Sequence, residues 1–257
     1  MRRGWIREKT PRPVRLALGR AGAYFVRGLE EGAIYPSIDA TLRTLRRLGF
    51  VSGFCVDIGA YNGDWTRLFK EIFPESGVLM IEAQEARRGA LEKFAARSEP
   101  GLDVEIALLG PRRAERILFH EMESGSSVFE EASPYSRAAI EKSMQTLDSL
   151  LSEKSCPKVD FLKLDVQGYE LEVLNGGSRA MSQAEAILLE TSLLPINRGC
   201  PLFAEVIAFF HGLGFRLFDF CGQIRRKDGV LWQTDLLFLR RDSKYAPQAR
   251  LTTENWG

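Results

Sequence analysis

Four acidic residues stand at or beside the ends of short apolar runs: Asp57, Glu82, Asp165 and Glu190. Such runs read as buried parallel strands, and a carboxylate at the tip of a buried strand is costly unless something satisfies it. A polar ligand does so economically; the alternative for any one of them is pairing with an arginine of the fold. The sharpest local signal is Asp57-Ile58-Gly59-Ala60-Tyr61-Asn62-Gly63-Asp64. Gly59 and Gly63 permit close backbone approach and a tight turn into a following helix. Glu82 lies 19 residues beyond Gly63, at the end of the next apolar run, where a carboxylate can accept both hydroxyl hydrogens of a ribose. The dinucleotide fingerprint G-x-G-x-x-G is absent; the spacing is G-x-x-x-G, with an acid ahead of it. A pyrophosphate is repelled by Asp57, whereas the cationic ammonium and sulfonium of S-adenosylmethionine are not.

These positions need a scaffold, and the pattern around them supplies one. Apolar runs at 54–59, 78–82, 159–165 and 186–190, with a further strand at 103–109, alternate with helical stretches at 65–72, 85–97, from the fourth strand through Leu174, and at 203–211. Alternation of this kind predicts a mostly parallel sheet with helices on both faces, its ligands bound beyond the carboxyl ends of the strands. Runs at 215–220 and 235–239 have only a short polar connection containing Asp228-Gly229, which suits an antiparallel pair. Residues 110–145 are less regular, with a strand at 117–119 and a Ser124-Gly125-Ser126-Ser127 turn. The predicted organisation is a basic helical extension over 1–50, a domain over 51–241 and a polar tail over 242–257.

Composition sets outer bounds. The chain has 257 residues, with 35 Lys+Arg against 34 Asp+Glu and 45% hydrophobic residues, which suits one globular domain with an appendage and excludes intrinsic disorder. The near-zero net charge argues against a general nucleic-acid binder. Charge is concentrated at the start, where residues 1–27 carry eight Lys or Arg and one acid, Glu8. That segment can lie on an anionic membrane surface or cover the domain with its arginines in water. Four cysteines without a CxxC pair predict neither a zinc site nor a redox pair, and they suit a reducing compartment. With no signal-peptide core and no apolar stretch of bilayer length, a cytoplasmic location is expected.

Longer motifs point further. The stretches Val56-Asp57-Ile58-Gly59-Ala60-Tyr61-Asn62-Gly63, Thr146-Leu147-Asp148, Val159 through Glu170 with its Lys-x-Asp-x-Gln-Gly-x-Glu block, and Ile187-Leu188-Leu189-Glu190 resemble the FkbM family of S-adenosylmethionine-dependent methyltransferases. Ser126-Ser127 and Thr234-Asp235-Leu236-Leu237-Phe238 look like later blocks of the family, so the resemblance runs from about residue 38 to residue 240. Ala83-Gln84 departs from it, because the family usually has a proline after the acid at 82. The resemblance implies a class I Rossmann-like fold, with a seven-stranded, mostly parallel sheet ending in an antiparallel hairpin. It also implies methyl transfer, most often to a hydroxyl oxygen of a sugar or another small metabolite. Asp57, Gly59, Ala60, Asn62 and Gly63 would line the methionine and sulfonium end, Glu82 would hold the ribose, and Asp165 and Gln167 would face the methyl group and acceptor.

A hydroxyl acceptor must lose its proton during or before attack. Asp165 is the first candidate for base or orienting group, Glu190 the second and His120 a third; Asp165 and Glu190 could instead share a divalent cation. Lys163 is expected to point inward against Asp148 or Glu190 in a structural role, and His211 to cap a helix end. The phenylalanines at 203, 209, 210, 215 and 218 are expected in the core. Two other readings stay open: a non-catalytic, nucleoside-binding interaction subunit, and a nicotinamide-dependent oxidoreductase, which lacks its second glycine here.

Overall fold

The structure is a computed structural model describing residues 36–98, 101–122, 125–130 and 138–246. The basic segment of 1–35, with its expected membrane contact, lies outside the described residues, as do Ser124 and most of the polar tail. The central sheet contains β1 (Phe54–Ile58), β2 (Gly77–Glu82), β3 (Leu102–Ile106), β7 (Phe161–Leu164), β8 (Ala186–Ser192), β9 (Phe215–Arg225) and β10 (Leu231–Arg240). Their order across the sheet is β3-β2-β1-β7-β8-β10-β9. The first five are parallel, and β10 runs antiparallel to both β8 and β9. This is the predicted seven-stranded architecture with its antiparallel hairpin.

The continuous apolar runs form central strands because both faces of the sheet are covered. One face buries Val56, Ile58, Leu162, Leu164, Ile187 and Leu189. It lies under α4 (Leu147–Glu153), α5 (Glu170–Asn175), α6 (Ser178–Gln183) and α7 (Phe203–Gly212). The other face buries Cys55, Val78, Met80, Phe161, Leu188 and Leu237 beneath α1 (Ile38–Arg47), α2 (Asp64–Ile72) and α3 (Arg88–Arg97). The predicted aromatic residues take core positions: Phe210 and Phe215 are fully buried, with Phe203 and Phe209 packed beside them, and Phe218 packs on the second face. His211 sits in the last turn of α7, and its carbonyl accepts from Arg241 Nη2 at 2.8 Å.

Three features differ from the sequence expectation. First, α1, which falls in the expected 1–50 extension, packs against the central sheet within one compact unit that starts at Pro36. Ser37 caps this helix, Leu42 and Leu45 are buried, and Thr41 Oγ1 donates to Asp219 Oδ2 at 2.7 Å. Its apolar stripe is the face that packs, and its arginines point outward. Secondly, the run at 103–109 breaks at Ala107, and Leu108–Leu109 (β4) leaves the central sheet. It joins a second sheet of order β4-β6-β5, with β5 spanning Ala114–Glu121 and β6 Ala138–Gln145. Thirdly, β6 gave no sequence signal because Met144 is its one buried residue, so it lacks the apolar alternation of a half-buried strand. Among the described residues no helix is long and apolar enough to cross a membrane.

Candidate functional site

The parallel strands deliver their carboxyl ends to one edge of the sheet, where the loop after β1 turns into α2. Gly59 has φ 77, and a Cβ there would stand 1.9 Å from the backbone oxygen of Asp165. Only glycine lets this loop press so closely on the end of β7. Gly63, also at φ 77, starts α2 with Phe94 packed against it. Ala60 is buried and donates its N–H to Ile81 O at 3.1 Å, while Asn62 is exposed. Ala60, Asn62 and Gly63 shape the loop and are not among the residues that line the cleft above it.

Asp57, expected at the methionine and sulfonium end, is engaged by the fold itself. It is fully buried, its Oδ1 lies 3.0 Å from Lys163 Nζ, and its Oδ2 accepts from Thr66 Oγ1 at 2.6 Å. Lys163 Nζ also donates to Gly59 O at 3.0 Å. The partner expected for Lys163 was Asp148 or Glu190; the parallel register instead sets Asp57 directly beside it. Asp148 is occupied elsewhere, its carboxylate accepting from the Arg179 and Ala180 N–H groups at 2.8 and 3.0 Å at the start of α6. Burial pulls the Lys163 pKa down, but Asp57 and Asp165 more than offset this and the net shift is upward. The pair is a strut that holds the glycine loop.

Above the strut opens a cleft of about 750 Å³, its solvent-facing mouth included. Gly59 and Tyr61 form one wall, Glu82, Ala83 and Gln84 the floor, Ala107, Leu108 and Leu109 an apolar shelf, and Asp165, Val166, Gln167 and Tyr169 the far side. Phe119, Ser126, Ser127 and Val128 of the small sheet and its turn roof it. Glu82 is 6% exposed. Its Oε2 accepts from Tyr61 N at 2.8 Å and its Oε1 from Gln84 N at 2.9 Å. Tyr61 (φ 49) and Gln167 (φ 55) hold left-handed backbones that side-chain-bearing residues rarely adopt, and both face the cleft. Strain of this kind clusters at ligand sites.

At the far side the acids gather. Gln167 Nε2 donates to Asp165 Oδ1 at 2.9 Å and to Glu190 Oε1 at 3.0 Å, and Gln233 Nε2 donates to the same Glu190 oxygen at 2.5 Å. Burial pushes the Glu190 pKa well up, and Asp165, Asp235 and Glu170 add to the rise against Lys163. Burial raises Asp235 to about 6, with help from Asp165, and raises Glu170 to about 7. Where a shared cation was considered, an amide stands between Asp165 and Glu190, and no group of three metal-ligating side chains occurs among the described residues. Glu190 is one amide removed from the cleft wall. His120 lies on β5 next to Phe119 and does not line the cleft. Its backbone exchanges two hydrogen bonds with Ser127, which ties β5 to the turn that roofs the cleft.

The structure thus brings Gly59, Glu82, Asp165 and Gln167 to one cleft, with Glu190 behind them. Sequence reasoning missed Tyr61, the 107–109 shelf, Phe119 and Tyr169 as lining residues. A signal for the shelf existed, since the alternation of Asp103-Val104-Glu105-Ile106 gives way to the unbroken apolar Ala107-Leu108-Leu109.

Residues 57–217 match the family profile of the methyltransferase FkbM domain. Among solved structures, the FkbM methyltransferase of Methylobacillus flagellatus is similar, with a TM-score of 0.50 and 17% identity over 73% of this chain and 43% of that one. The chain therefore spans less than half of that relative's length. Precorrin-6y C5,15-methyltransferase of Geobacter metallireducens has a TM-score of 0.44 and 12% identity over 83% of this chain and 93% of its own. Magnesium protoporphyrin IX methyltransferase of Synechocystis, solved with bound S-adenosylmethionine, has a TM-score of 0.45 and 14% identity over 79% and 77% of the two chains. No curated protein matches the chain.

Proposed function

The chain belongs to the FkbM family of methyltransferases, and from that premise we propose that it uses S-adenosylmethionine to methylate a hydroxyl oxygen on a sugar or another small metabolite. The observation that carries this reading is the buried Glu82 carboxylate on the cleft floor. It gives two acceptor positions to backbone N–H groups, and a carboxylate has about four, so acceptor capacity remains for the hydroxyls of a ribose. The Ala107–Leu109 shelf and Phe119 offer apolar contact to a base, and Asp165 offers negative charge to a sulfonium or ammonium. A pyrophosphate would meet two carboxylates and no glycine-rich anion cradle, which disfavours a nicotinamide dinucleotide.

The cofactor supplies an electrophilic methyl group on a good leaving group. The protein's work is then to hold an acceptor oxygen in line, an effect worth about 7–11 kcal/mol in favourable cases. Asp165, on the cleft wall, is placed to orient the acceptor. Glu190, held by the Gln167 and Gln233 amides behind the cleft wall, is the second candidate for the base. Lys163 and Asp57 keep the glycine loop against β7 and touch neither substrate. The choice of a saccharide hydroxyl rests on the family resemblance.

Calorimetry of the full chain with S-adenosylhomocysteine and, separately, NADH tests the cofactor. Tight binding of the first and none of the second is expected; the reverse result would overturn the proposal. Incubation with S-adenosylmethionine and a panel of saccharides, read by mass spectrometry, tests turnover. Cofactor binding without any methylated product from a broad acceptor panel would favour the non-catalytic interaction subunit.

A further inference from the structure

Gln167 is held from two sides. Its backbone is left-handed, φ 55, a conformation unfavourable for any residue with a Cβ. Its carbonyl oxygen accepts from Ser127 Oγ at 2.9 Å and from Asn197 Nδ2 at 2.9 Å. Ser127 belongs to the turn that roofs the cleft, and Asn197, itself 3% exposed, to the loop that follows β8. The side chain of the same residue donates to both Asp165 and Glu190. One residue therefore joins the roof, a neighbouring loop and the two carboxylates.

We infer that Gln167 is a positioning residue. Its amide aligns the Asp165 and Glu190 carboxylates, and the seating of Ser127 and Asn197 on its carbonyl fixes the backbone turn from which the amide is aimed. What the alignment serves rests on the methyl-transfer reading; the linkage itself does not. A primary amide carries two N–H donors on one nitrogen, so bonding to two separate carboxylates fixes its plane. Without those donors the carboxylates face each other with less compensation. The charged groups around Glu190 are Lys163 from β7, Asp165 just beyond its end, Asp235 from β10 and Glu170 from α5, and Lys163 is the one cation among them. Loss of the amide must therefore raise the proton affinity of Glu190, and so must any change that swings the amide away.

The test follows the titration of the Glu190 carboxylate by carbon-13 NMR in the full chain without added ligand. Gln167→Ala should raise its proton affinity by roughly tenfold, one pH unit. The double variant Ser127→Ala/Asn197→Ala should shift it in the same direction, although neither residue bonds to Glu190. A purely structural role for these two would leave that titration where it is. If Gln167→Ala fails to fold, the double variant decides, or its two single substitutions where the pair unfolds. Glu190 titrating as in the unaltered protein, with circular dichroism and melting preserved, would overturn the inference. Binding of S-adenosylhomocysteine by the unaltered protein is scored separately. Its failure would remove the cofactor reading and leave the linkage standing.

Discussion

Replacing Lys163 by Met strips the one cation from a row of buried acids. The Lys163 side chain is 8% exposed and that of Asp57 0%, so the surviving Asp57 carboxylate cannot turn to water. Removing one partner of such a pair costs about 3–5 kcal/mol, because the other charge stays buried and uncompensated. For a domain of this size each kcal/mol lowers Tm by about 2–4 °C, so a fall of roughly 6–20 °C is expected. Met fills most of the volume, which leaves charge and the lost bond to Gly59 O as the cause. Adding Asp57→Asn to Lys163→Met removes the stranded charge and should recover much of the loss, with Thr66 still within reach of the new amide. Thermal and urea unfolding of the three variants at neutral pH make the measurement. Lys163→Met melting within about 2 °C of the unaltered protein, less than 1 kcal/mol, would refute the strut, as would a double variant no better than the single one.

Other perturbations address the cleft and its protons. Glu82→Ala should weaken S-adenosylhomocysteine binding by about 10–100-fold, the value of a charged hydrogen bond of 1.5–3 kcal/mol; an unchanged Kd with intact fold would show the carboxylate to be structural alone. Glu170 and Asp235 stand at about 7 and about 6 in the folded chain, above their ordinary 4.5 and 3.8, so the folded state holds more protons than the unfolded state between those limits. The stability these groups contribute is then fully present near pH 4 and lost as pH rises toward 7. Glu170→Gln keeps an oxygen for the Val166 and Gly168 N–H groups and removes the titration, so urea unfolding at pH 5 and pH 7.5 should differ less than in the unaltered protein. Identical pH dependence in the two would mean that Glu170 is ionised throughout.

Much of the scaffold was legible because its signals are local. Continuous apolar runs such as Val78–Ile81 and Ala186–Leu189 mark strands buried on both faces, and the short polar link around Asp228-Gly229 marks the hairpin. The acids at strand ends were legible as a group, and Glu82 and Asp165 do reach the cleft. What Asp57 does was not, because its fate depends on the lateral register of β1 against β7, which puts Lys163 at its side. The same holds for Gln167, whose two-sided attachment joins segments 30 and 40 residues away. Strand β6 was hidden because only Met144 of its eight residues is buried, whereas the α1 helix was legible and only its packing on the sheet was not.

The passage of the chain from one sheet to the other at Ala107 has an evolutionary corollary. The seven-stranded scaffold and the three-stranded roof have separate hydrogen-bond ladders, so the roof can diversify without unsettling the platform beneath. New recognition at the mouth of this molecule is most readily acquired through β5, β6 and the turns between them.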